Sequence, residues 1–192
     1  MGMPTLRFIG IDPGKDGAVG WMDGEHRDIG VLTTPTYKVQ ASTPGKTKRV
    51  YDLVGMYRML KEITNPERFD CIATIEQVGA FRSDSRCNAF DFGGGYMAWL
   101  TLLAVLNADR GNVKLRLVPP KTWKRDLLAG VANDPEMEAK VLAQRLRGHA
   151  VCREFRGPKG KLLDGKVDAL FLAEHGRYNY QIARPMTVGG GR

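Results

Sequence analysis

Four carboxylates stand where an apolar segment meets a turn or begins a helix: Asp12 in Ile-Gly-Ile-Asp-Pro-Gly, Glu76 in Ala-Thr-Ile-Glu-Gln, and Asp164 and Asp168 in Leu-Asp-Gly-Lys-Val-Asp-Ala-Leu. A fold that gathers these segment ends makes a pocket of hard oxygen ligands, the donor type preferred by Mg²⁺ and Mn²⁺. Cations held in such a pocket suit chemistry on a phosphate. The chain carries 29 Lys and Arg against 21 Asp and Glu, a formal net charge of +8, which makes polyanions its natural partners. Together the acids and the basic surroundings point to a nucleic-acid phosphate as the target.

Each acid also has a plainer explanation. Asp12 fits an ordinary Asp-Pro-Gly turn, and Asp164 fits a helix N-cap. Glu76 ends a dense apolar run and, if buried there, needs a partner or a metal. Asp168 precedes Ala-Leu-Phe-Leu-Ala, the apolar body of a helix, so it should be at least partly buried. Asp164 and Asp168 are four residues apart and therefore share a helix face, where like charges repel unless a cation lies between them.

The elements that must position these acids follow from periodicity. Leu6 to Ile11 reads as a strand stopped by Pro13-Gly14, Gly17 to Met22 as its antiparallel return, and Ile29 to Thr33 as a third strand. Residues 34–48, with Pro35, Pro44, Gly45 and several Lys and Thr, read as a mobile basic loop. Apolar positions from Val50 to Ile63 recur at helical spacing, and Phe69 to Ile75 reads as a buried strand. The segment Asn88 to Ala108 is long, Leu/Ala-rich and helical after its glycines, and Val113 to Val118 is a further strand. Pro120 and Asp134-Pro135 mark two helix starts, and Asp164 opens a last helix running to His175 before Gly176. Hairpins followed by alternating helices and strands indicate one α/β domain over residues 1–183 with a mixed sheet. The tail, residues 184–192, reads as disordered.

Composition narrows the class. Cys71, Cys87 and Cys152 match neither a zinc clamp nor a redox pair, and His26, His149 and His175 are scattered. No run is long enough to span a bilayer, and the amino terminus lacks a secretory pattern. A soluble protein of the cytoplasm is expected, at the nucleoid or in a phage-infected host.

Four segments, in this order, resemble the RuvC-like Holliday junction resolvases of the RNase H-like superfamily, especially compact bacteriophage-type members. They are Gly-Ile-Asp-Pro-Gly at 10–14, Ile-Glu-Gln-Val at 75–78, Val-Pro-Pro-Lys-Thr-Trp-Lys at 118–124, and Asp-Gly-Lys-Val-Asp-Ala-Leu-Phe-Leu-Ala-Glu-His-Gly at 164–176. The resemblance implies a five-stranded mixed sheet flanked by helices, and a metal-dependent endonuclease acting on Holliday junctions or related branched DNA. It further implies that Asp12 bridges two Mg²⁺ ions, with Mn²⁺ as a substitute, while Glu76, Asp168 and Asp164 complete the shells. Such ions lie about 4 Å apart and serve the attacking water and the leaving oxygen. Many cellular members space their last two ligands three residues apart. Gly165 stands at that place here, making Asp164 the substitute.

Basic clusters beside the acidic motifs are the expected phosphate contacts: Arg82 and Arg86; Lys121, Lys124 and Arg125; and Arg153, Arg156, Lys159 and Lys161. Lys46, Lys48 and Arg49 form a further cluster, less clearly placed. Phe81 is the candidate for the aromatic residue that, in related resolvases, opens or stacks on junction bases. Trp123 reads as core. A four-way junction has approximate two-fold symmetry, so a homodimer is expected. The helix bearing Tyr96, Met97, Trp99, Leu100 and Leu103 is its candidate contact. Two competing readings are a non-catalytic branched-DNA-binding protein on the same fold and an ATP-using phosphotransferase. The phosphotransferase reading needs a second domain, for which the chain has little room.

Overall fold

The computed structural model describes residues 4–77 and 86–183, with the side chains of residues 86–89 outside that description. Strands β1 (Thr5–Ile11), β2 (Ala18–Asp23), β3 (Ile29–Thr33), β6 (Phe69–Glu76) and β7 (Val113–Val118) form a five-stranded sheet in the order β3-β2-β1-β6-β7. The first three strands meander antiparallel, whereas β6 and β7 run parallel to β1. The expected mixed sheet is therefore present.

Helices cover both faces. On one side α1 (Leu53–Ile63) and α2 (Arg86–Arg110) bury Met56, Leu60, Trp99, Leu103 and Leu106 against Ile9, Ile11, Ala73 and Ile75. On the other, α3 (Pro120–Leu128), α4 (Pro135–Arg145) and α5 (Asp164–Ala183) pack Trp123, Leu142, Leu170 and Phe171 with Phe8, Met22 and Ile72. Alternation along β1 and β6 sends odd-numbered residues to the first layer and even-numbered ones to the second.

Helix α5 lies almost on the backbone of the sheet. A Cβ at Gly10 would collide with the Ala169 carbonyl and the Ala173 amide, and one at Gly20 would come within 3.0 Å of Ala169 and Leu170. Only glycine admits this close approach. Because it fixes α5 against the middle strands, the approach also fixes where Asp164 and Asp168 must fall.

Three expectations are corrected. Residues 34–48 are not a loop leading to a helix: Thr36–Gln40 (β4) and Thr47–Tyr51 (β5) pair antiparallel as a separate two-stranded sheet, and α1 begins only after the Asp52 N-cap. Both strands are largely exposed; Tyr37 and Val39 alternate with polar residues over only five positions in β4, and Thr-Lys-Arg-Val-Tyr in β5 does not alternate at all. Gly176 does not stop the last helix, which continues to Ala183. A Cβ there would lie 2.6 Å from Thr74 Oγ1, so this glycine serves packing rather than termination. Finally, α2 does not wait for its glycines but starts at Arg86 and runs through Gly93, Gly94 and Gly95, the last making room for the Tyr51 ring; a 3₁₀ turn at Ala150–Phe155 precedes α5. The expected disordered tail, residues 184–192, lies outside the described residues.

Candidate active site

Strands β1 and β6 end side by side. Ile11 pairs with Ile75, so Asp12 and Glu76 are the next residues on adjacent parallel strands. Both isoleucines are buried toward α1 and α2, which turns the two acids toward the α5 side, at the carboxyl edge where open α/β sheets place ligand chemistry. Asp168 arrives from α5 one residue before the Ala169 contact with Gly10. Gly165 sits against the turn after β1, where a Cβ would clash with the Asp16 carbonyl and lie 2.9 Å from Asp12 Oδ2. A ligating side chain at position 165 is therefore sterically excluded.

The three inner acids are electrostatically one group. Burial pushes the Asp12 carboxyl up to about 7, with Glu76 and Asp164 adding to the rise, although the Gly14 amide donates to Asp12 Oδ1 at 3.2 Å. Burial raises Asp168 to about 8; Lys124 opposes that shift, while Asp12, Glu76 and Glu138 reinforce it. Glu76 is raised by burial as well, against the pull of its hydrogen bond from Trp123 and the charge of Lys124. Asp164 begins α5 and is exposed; its charge is felt at Asp12. The sequence-predicted acids are thus brought together, with Asp164 at the rim.

Two features were not legible beforehand. Trp123 is fully buried and stacked on Phe171, as a core residue should be, yet its Nε1 donates to Glu76 Oε1 at 3.0 Å and so fixes that carboxylate. Glu138 is 5 % exposed and accepts from Lys124 Nζ at 3.1 and 3.2 Å. In the sequence Glu138 looks like any first-turn helix acid, and nothing announces that α4 turns it inward.

The expected DNA contacts divide. Lys121 and Arg125 are exposed on α3, Arg125 pairing with Asp126 at 2.8 Å. Lys124, expected at a phosphate, instead directs its ammonium to Glu138, beside the acid group. Arg156 is held by Glu136 at 2.5 Å, while Arg153, Lys159 and Lys161 are exposed. Phe81 and Arg82 lie outside the described residues, and so does the side chain of Arg86 at the start of α2.

The donor set fits a hard divalent cation. It consists of carboxylates whose shared burial disfavours their charged forms, and Lys124 is the cation that stabilises both Glu76 and Asp168. Among the described residues, no three acid, histidine or cysteine side chains form a ready-made coordination cage. The site is an open cluster of donors.

Solved structures share this architecture. The chain aligns over 92% of its length with 96% of T. thermophilus RuvC in complex with a Holliday junction substrate, at 16% identity and a TM-score of 0.55. The fold is the RuvC-type RNase H-like fold. A Thermus thermophilus RuvC structure aligns over 91% of this chain and 96% of its own, at 15% identity and a TM-score of 0.51. The yeast mitochondrial Holliday junction resolvase Ydc2 aligns over 94% and 81%, at 13% identity and a TM-score of 0.54. No protein-family model and no curated protein matches the sequence. At such identities the RuvC-type likeness speaks for architecture, and any activity must rest on this chain's own residues. No helix among the described residues is long and apolar enough to cross a membrane.

Proposed function

We propose that this chain is a metal-dependent endonuclease that hydrolyses phosphodiesters in Holliday junctions or related branched DNA. The observation that carries the reading is the meeting of Asp12, Glu76 and Asp168 at the carboxyl edge of a RuvC-type sheet, with burial raising all three, in a chain of net charge +8. Of the similar proteins of known structure, one is a RuvC in complex with a Holliday junction substrate and another a Holliday junction resolvase by name, which supports the same substrate class.

Asp12, Glu76 and Asp168, with Asp164 at the rim, would hold two Mg²⁺ or Mn²⁺ ions. When bound, such ions supply an activated water and stabilise the leaving oxygen. The protein's own part is orientation and charge. Trp123 holds Glu76 in one rotamer through its hydrogen bond. The Gly14 amide holds one oxygen of Asp12. Lys124, tethered to Glu138, keeps a positive charge next to Glu76 and Asp168. Exposed Lys121 and Arg125 stand on the same helix as Trp123 and suit the phosphates flanking the site.

A homodimer suits the two-fold substrate, and α2 offers a more specific contact than its whole length. Trp99 and Leu103, expected at that contact, are buried in the core instead. The exposed positions Phe90, Gly94, Met97, Thr101 and Val105 recur at helical spacing and carry no charge. Met97→Glu should give monomer by light scattering, against dimer for the wild type. A wild-type monomer, both free and with junction DNA, would remove the dimer.

The decisive experiment is cleavage of labelled four-way junctions, flaps and duplexes with Mg²⁺, comparing wild type with Asp12→Asn. The variant should bind junctions and not cut them. Wild-type binding without cutting across metals and sequences would leave a non-catalytic junction binder, and equal cutting by Asp12→Asn would take Asp12 out of the site.

A further inference from the structure

The β4–β5 hairpin is absorbed by neither the core nor the acid cluster. Its two strands pair only with each other, and an isolated two-stranded hairpin is marginal in water. Its base is fastened to the catalytic turn. Tyr51 Oη donates to the Pro13 carbonyl at 3.3 Å, and the Tyr51 ring fills the space a Cβ at Gly95 would need. Arg49 pairs with Asp16 at 2.7 Å and reaches the Lys15 carbonyl at 3.4 Å. The Asp12-Pro13-Gly14-Lys15-Asp16 turn thus holds a metal-binding candidate at one end and the root of the hairpin at the other.

Beyond that root the hairpin is a basic ribbon. Residues 36–51 contain Lys38, Lys46, Lys48 and Arg49 and no acid. Lys38 lies directly opposite Arg49 in the ladder, a like-charge cross-strand pair that disfavours the hairpin on its own. The side chains of Lys38, Lys46 and Lys48 are exposed and make no hydrogen bond or ion pair with any described residue. A surface face built only for solvation would interleave acids, as the Arg156–Glu136 and Arg125–Asp126 pairs do elsewhere. Uncompensated charge on a projecting ribbon, fixed at its base beside the acids, suits a polyanion that also enters the site.

We infer that the β4–β5 hairpin is an arm that grips the phosphate backbone of the substrate DNA next to the scissile linkage, through Lys38, Lys46 and Lys48. This rests on the nuclease reading above and adds a contact surface to it. A five-residue strand reaches about 17 Å, enough to follow several successive phosphates from a strand seated over Asp12. The contact is to phosphate, so it carries affinity and register without reading sequence.

The test combines a variant with a footprint. A Lys38→Gln, Lys46→Gln, Lys48→Gln triple variant should bind four-way junction DNA with a log–log salt slope shallower than wild type by about 2–3, since each phosphate contact contributes about 0.9. In wild-type protein, junction DNA should slow acetylation of the same three lysines, a readout that does not depend on the variant folding. An unchanged salt slope, or acetylation indifferent to DNA, overturns the arm while wild-type cutting leaves the nuclease reading standing. Wild type that neither binds nor cuts junctions overturns both. Protection by phosphatidylserine vesicles and not by DNA would assign the ribbon to a membrane surface and also overturn the inference.

Discussion

Helix α5 carries two acids, the buried Glu174 and the half-buried Asp168, that the fold treats in opposite ways. Burial raises Glu174 in principle, but Arg177 donates to it through two nitrogens at 2.6 and 2.7 Å and His26 lies 3.0 Å away, so the carboxylate is held down at about 2. Six positions earlier, Asp168 has Lys124 nearby, but that ammonium is shared with Glu138 and Glu76, and burial beside other acids lifts Asp168 to about 8. Protein cations answer the charge of Glu174. Asp168 and its neighbours Asp12 and Glu76 are left short of positive charge, a condition that a bound divalent ion would relieve. On the proposed function, the contrast separates an acid that holds the fold from acids that would hold a metal.

The comparison can be broken most directly by neutralising each acid. Asp168→Asn should leave junction binding intact and lower the cleavage rate by about 10³-fold, the scale of losing one transition-state electrostatic contact. Glu174→Gln should do the reverse: it strands Arg177 and should cost about 3 kcal/mol in denaturant unfolding while cutting persists at permissive temperature. If Glu174→Gln abolishes cutting in folded protein, the division between the two acids fails.

A smaller effect sharpens the role of Trp123. Trp123→Phe keeps most of the ring but removes the donor to Glu76, and cutting should fall about 10- to 100-fold, with the loss growing as Mg²⁺ is lowered. A rate independent of Trp123 at every metal concentration would make it core alone.

The subtlest test is pH. Asp12 and Asp168 bind protons more tightly folded than unfolded, so in metal-free protein their contribution to stability falls as pH rises from about 4 to about 8. Glu174 has the opposite slope: its stabilisation is present above the ordinary glutamate range and is lost as pH falls toward 2. Asp168→Asn should therefore raise the unfolding temperature at pH 8 and leave it nearly unchanged at pH 4. Mg²⁺ should stabilise wild type more than Asp168→Asn at pH 8. Equal shifts would remove Asp168 from the metal-binding set.

Where a signal was local, the sequence carried it. The strand ending at Ile11, the strand before Glu76 and the helix opening at Asp164 follow from apolar runs and turn residues, and the four motif segments in order, three acidic and one basic, pointed to the fold. Where burial was absent or came from a distant element, the signal failed. The exposed β4–β5 ribbon shows only a five-residue alternation at Tyr37 and Val39 that its partner strand does not repeat, and Gly176 reads as a stop until Thr74 is found beneath it.

Residue order by itself determined which acids end which elements, because alternation and capping act over a few neighbours. Only tertiary structure decided that Ile11 and Ile75 fall in register, that α5 approaches the sheet over Gly10 and Gly20, that Trp123 meets Glu76, and that Lys124 turns to Glu138. Those outcomes depend on close packing between segments far apart in the chain, where the space one residue leaves is filled by another that no local pattern specifies.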